Sequence, residues 1–157
     1  MFWKIGFIVE FAIIALAAIL FMKSNPMKNE GAASWIDIYS KAPTETIKFL
    51  GDTFGIEVAN TTKSVDGPMP GMEYSAIKAR GQLWPFAGVM GMPLKEMVPH
   101  TMSYLTVKDY KAAHDKMIAN GAKAVLTDQY AGGMRFGIYI IPGGVDIGIA
   151  QWERAKK

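Results

Sequence analysis

The stretch 34-SWIDIYSKAPTETIKFLGDTFGIEV-58, from Ser34 to Val58, alternates apolar and polar residues, passes into a helix-like run, stops at a glycine and resumes with β-branched residues. Sixty-seven residues later, 101-TMSYLTVKDYKAAHDKMIANGAKAV-125 repeats that order. In the first copy Trp35, Asp37 and Tyr39 alternate with Ile36 and Ile38, which is strand periodicity. Pro43, Thr44 and Glu45 suit a helix start, Ile47, Leu50 and Phe54 recur on one helical face, and Gly55 suits its end. In the second copy the strand is MSYLTV. The helix is DYKAAHDKMIANG, with Ala113, Met117 and Ile118 on one face and Gly121 as its stop. Three further strand-like runs follow each helix: IEVANTT, MEYSAIKA and PFAGVMGM, then AKAVLTD, MRFGIYII and VDIGIAQW. A repeat on this scale is an architectural signature.

Two βαβββ modules, 34–98 and 99–153, are therefore expected to make one α+β domain over 34–153, with a curled half-barrel sheet around a cavity and the helices outside. A βαββαβ fold needs fewer strands after each helix. At 157 residues, half of them hydrophobic, the chain has material for one sizeable core. Its 17 Lys and Arg against 14 Asp and Glu give a net charge of +3, and the charges are interspersed. Without a basic stripe, nucleic acid is not an expected partner. There is no cysteine, which removes thiolate nucleophiles and cysteine-based zinc sites.

The start of the chain differs in kind. Residues 1–22 form a hydrophobic segment, and Ile5 to Met22 is interrupted only by Glu10. Eighteen residues at 1.5 Å each just cross a hydrocarbon core of ~30 Å. Glu10 opposes insertion by about 2.5–3.5 kcal/mol at a helix centre. The expectation is an N-terminal hydrophobic helix anchoring the chain to a membrane through residues 5–22, with 23–33 as a polar linker. The rivals are a secretory signal and a start at Met27, which would make the protein cytoplasmic.

The pieces WIDIYSKAPTETIKFLGDTFG, PHTMSYLTVKDYKAAHDKMIANGAKAV and MRFGIYIIPGGVDIGIAQWE together resemble the glyoxalase/bleomycin-resistance/extradiol-dioxygenase superfamily, the vicinal oxygen chelate proteins. The resemblance covers 34–153 and is nearest to the small glyoxalase-like proteins. It implies a divalent-metal site on the inner face. Carried over, the ligand positions fall on Trp35, Met102 and Gly148, and on a place in PFAGVMGM that offers no His, Asp or Glu. Indole and glycine are not ligands for such ions, and a thioether is a poor one. The expectation is no metal and no cofactor. His100 and His114 are read as surface or structural histidines.

With period two, Trp35, Asp37 and Tyr39 share the face where the family places its ligands, and the same logic puts Met102 and Tyr104 inside, with Arg135 as a further polar group of the implied cavity. These six are the expected small-molecule-binding residues, with Asp37 as a candidate general base. The leading expectation is a metal-free domain of the bleomycin-resistance kind that binds a small, partly apolar molecule. The alternative is a lyase-like or dioxygenase-like enzyme using Asp37 as base or an atypical metal site. The resemblance also implies a homodimer.

Overall fold

The computed structural model describes residues 30–63, 71–92, 97–131 and 133–152. Strand β1 (Ala33–Ser40) leads into helix α1 (Pro43–Phe54), then β2 (Ile56–Lys63), β3 (Glu73–Ala79) and β4 (Ala87–Gly91). The second module repeats this with β5 (His100–Thr106), α2 (Tyr110–Ala119), β6 (Lys123–Ala131), β7 (Met134–Ile141) and β8 (Val145–Trp152). The three strands after each helix are present, so the duplicated βαβββ reading holds for the described residues.

All eight strands belong to one open sheet in the order β2-β3-β4-β1-β5-β8-β7-β6. Within each module the first and last strands pair in parallel, β1 with β4 and β5 with β8. The modules meet at an antiparallel seam between β1 and β5, where Trp35 faces Tyr104 and Asp37 faces Met102. Each of these pairs maps onto the other under the repeat that relates the two modules. The seam is thus the local axis of the duplication.

Pleating sends alternate residues to opposite faces. Ile36 and Ile38 pack with Ile47 and Leu50 of α1 over Ile77 and Val89. In the second module Ala113 and Met117 of α2 pack with Val107, Tyr110, Tyr139 and Ile149. The other face carries Trp35, Tyr39, Ala76, Met90, Met102, Tyr104, Met134 and Ala150. Two expected helix-face residues do not reach the sheet. Phe54 is 66% exposed, packing edge-on to Phe49, and Ile118 is 43% exposed. Both lie in the last turn of their helices, where the chain is already turning back toward the next strand.

The expected N-terminal hydrophobic helix lies outside the described residues. The membrane-anchored localisation inferred from it is corrected: among the described residues no helix is long and apolar enough to cross a membrane. Helices α1 and α2 have 12 and 10 residues. At 1.5 Å per residue they span only about 18 and 15 Å.

Candidate functional site

The centre of the sheet is built around one buried carboxylate. Asp37 is only 5% exposed, flanked in register by Gly88 of β4 and Met102 of β5. Its Oδ1 accepts hydrogen bonds from the Tyr74 hydroxyl at 2.7 Å and the Trp35 indole N–H at 3.0 Å. Its Oδ2 accepts one from the Tyr104 hydroxyl at 2.8 Å. The Trp35 N–H also lies 2.7 Å from the Tyr74 oxygen, so the four side chains form a closed knot. An unmatched buried carboxylate is costly, whereas each hydrogen bond to a charged group returns about 1.5–3 kcal/mol.

Two glycines make room for this knot. A Cβ at Gly88 would lie 1.9 Å from the Tyr74 hydroxyl, and one at Gly148 would lie 2.2 Å from the Tyr104 ring. Neither contact is tolerable, so each ring occupies space that only glycine leaves open. Burial raises the Asp37 carboxyl above its ordinary value, against the lowering effect of its donors Tyr74, Tyr104 and Trp35. Burial, followed by the nearby Asp37 charge, pushes the Tyr39, Tyr74 and Tyr104 hydroxyls upward, so all three stay protonated.

Beside the knot lies a cleft of about 1060 Å³, lined by Tyr39, Met72, Met92, Met97, His100 and Met102 among others. Glu73 and Asp146 supply its acidic groups. The His100 ring stacks on Tyr39 at 4.7 Å between centroids.

Of the residues expected at a site, the structure brings Trp35, Asp37, Tyr39, Met102 and Tyr104 together on the face away from the helices. Arg135 is corrected. It pairs with Asp128 and lies 4.6 Å over the Tyr110 ring, on the α2 side of the sheet. Along β7 it is Met134, Phe136 and Ile138 that share the inner cluster, so the intervening Arg135 points the other way. His114 belongs to that outer side too, with its Nδ1 2.8 Å from the Tyr139 hydroxyl. Sequence reasoning missed Tyr74, the place of His100 in the cleft, and Met72, Met92 and Met97. Gly88 inside β4 was the available signal for Tyr74, since a strand glycine marks close approach of another group.

No family model matches the chain, and no curated protein matches it significantly. Solved structures do. Methylmalonyl-CoA epimerase from Mycobacterium tuberculosis is similar over 81% of this chain and 92% of its own, at 15% identity and TM-score 0.61. A variant of the Streptomyces coelicolor methylmalonyl-CoA epimerase, in complex with 2-nitronate-propionyl-CoA, matches over 82% and 99% at 13% identity and TM-score 0.62. A hypothetical protein from Bacillus halodurans C-125 matches over 80% and 96% at 11% identity and TM-score 0.60. The chain has the vicinal oxygen chelate fold.

The resemblance read in the sequence implies an inner-face divalent metal, and the residues described here do not fit one. At the carried-over positions, the Trp35 nitrogen is a donor already engaged with Asp37 and Tyr74. The Tyr104 ring fills the space over Gly148, and the Tyr74 hydroxyl fills the space over Gly88. Among the described residues there is no group of three or more His, Cys, Asp or Glu side chains able to hold an ion. The centre of the inner face is held instead by a carboxylate with three donors.

Proposed function

We propose that the protein is a binding module of vicinal oxygen chelate fold that takes a small, predominantly apolar molecule without using the fold's metal. One observation carries this reading: the inner-face centre is filled by the Asp37 knot, while the adjoining cleft is open and lined by thioethers and an aromatic pair. Unbranched methionines adapt to varied apolar shapes, and a few polar groups at the rim suffice for orientation. On this reading Asp37 holds Tyr74 and Tyr104 in place and does not itself meet the ligand, because both its oxygens are already engaged. The unit acting is the domain 34–153, paired as a homodimer.

A second reading has one observation in its favour. Burial raises the Asp37 carboxyl, the direction expected of a group that exchanges a proton near neutrality. An enzyme of this kind would open the knot when substrate enters.

A thermal-shift screen separates the readings, using aromatic and amphipathic metabolites alongside acyl-CoA thioesters, with wild type, Asp37→Asn and Met102→Ala in parallel. The binding module predicts stabilisation by an apolar compound that survives in Asp37→Asn and fades in Met102→Ala. Turnover of a thioester abolished by Asp37→Asn would favour the enzyme. A screen in which no compound stabilises wild type would refute the binding reading. Light scattering on the same sample tests the homodimer, and a monomer at high micromolar concentration would count against it.

A further inference from the structure

We propose that the cleft also holds a soft monovalent cation of the cuprous class, on the thioethers of Met72, Met92, Met97 and Met102 with the imidazole of His100. The chain has 11 methionines and no cysteine. Four of the methionines line this one cleft, and Met90 and Met134 pack into the same cluster. They arrive from four places: Met72 before β3, Met92 after β4, Met97 before β5 and Met102 within it. A thioether is an uncharged, polarisable donor that zinc, magnesium and calcium disfavour and cuprous ion accepts. The long side chains have the freedom to gather around an ion.

His100 supplies an independent observation. Its Nδ1 lies 2.9 Å from the Val98 carbonyl oxygen. A carbonyl can only accept, so Nδ1 carries the proton, and in the neutral ring the lone pair is then on Nε2. Ligating histidines are usually held this way, with the second ring nitrogen donating to a backbone carbonyl. Stacking on Tyr39 fixes the ring plane as well. Glu73 and Asp146, in the same lining, put negative charge near the cation. Core packing alone would account for methionines in the cluster, but it gives no reason for an imidazole poised in this tautomer beside four of them.

This inference is separate from the small-molecule reading, since either can fail while the other stands. The test uses the full chain without oxygen. Cuprous ion is offered from a chromophoric chelator, and silver(I), which does not change oxidation state, is followed by carbon-13 spectra of the methionine methyls. The expected result is withdrawal of a single equivalent of copper, with silver shifting the methyls of Met72, Met92, Met97 and Met102. Met92→Leu with Met97→Leu keeps volume, and that pair should weaken binding about 10–100-fold, as should His100→Gln alone. Met134→Leu, in the cluster but outside the cleft lining, should bind as wild type does. Should the double variant fail to fold, His100→Gln decides. No withdrawal of copper, or equal affinity in wild type and the His100 variant, overturns the proposal.

Discussion

In the first module β1 sets Asp37 beside Gly88, with the Tyr74 hydroxyl lying over the glycine. At the matching places in the second module, β5 sets Tyr104 beside Gly148, and Phe136 meets Tyr104 edge-on at 5.9 Å. The duplication is complete in geometry and broken in chemistry. An acidic side chain from one half meets a phenol from the other across the seam. Two carboxylates there would repel, so a repeat with this axis at its centre gains by diverging at that pair. The helix sides diverge as well. Under α1 the core is aliphatic, built on Ile36, Ile38, Ile47 and Leu50. Under α2 it is hydroxylic: the Tyr110 and Tyr139 oxygens lie 3.1 Å apart, and His114 contacts Tyr139.

The strongest way to break this arrangement is to fill a glycine. Gly148→Ala forces a methyl into the Tyr104 ring and Gly88→Ala forces one into the tip of Tyr74. Overpacking of this severity should cost about 3 kcal/mol or more. In denaturant titrations, Tyr74→Leu should rescue Gly88→Ala and leave Gly148→Ala unrescued. Equal rescue of both would disprove the assignment of each glycine to its own ring.

Next in size is Tyr104→Phe, which strips Oδ2 of Asp37 of its hydroxyl donor and should cost about 1.5–3 kcal/mol. Tyr74→Phe should cost less, because Trp35 still donates to Oδ1. The reverse order in urea midpoints would contradict the knot as described.

A smaller, pH-dependent effect follows from burial of the carboxyl. Its folded-state pKa stands above the ordinary 3.8, so the folded chain binds the proton more tightly than the unfolded chain. The resulting stabilisation is complete below 3.8 and is lost as pH rises through the folded-state value. Asp37→Asn has no such proton, so its stability relative to wild type should rise between acid and neutral pH. Parallel stability curves would remove the effect.

The smallest expected change concerns the helix starts. Asp109 caps α2, accepting from the Ala112 N–H at 3.0 Å, whereas Ala42 gives α1 no side-chain cap. Asp109→Ala should lose about 1 kcal/mol. An unchanged melting temperature would show that α2, like α1, is held by packing alone.

The fold was legible because duplication supplied two readings of each element, and strand alternation fixed the face of Trp35, Tyr39, Met102 and Tyr104. The knot was only half legible. Its acceptor and the Tyr104 donor stood on that face, but Tyr74 is 37 positions from Asp37, and nothing local to it announces the contact. Arg135 was misplaced because its neighbours Met134 and Phe136 take the inner face, and one step of parity along β7 turns it outward. Phe54 and Ile118 show the corresponding limit for helices: periodicity marks a stripe but not where the sheet beneath it stops.

The seam between the modules also shapes how the chain finds its fold. The β2–β3 pairing brings together residues such as Thr61 and Ser75, 14 apart, whereas Trp35 and Tyr104 are 69 apart. Closing the longer loop costs about 1.4 kcal/mol more in chain entropy. The hairpins are therefore expected to form early, and the bond between Asp37 and Tyr104 to close late as a latch. A contact made after the folding barrier is felt on the way out. Loss of the Tyr104 hydroxyl should accelerate unfolding while leaving the refolding rate nearly unchanged, and a stopped-flow chevron with its shift in the refolding arm would show the latch closing early.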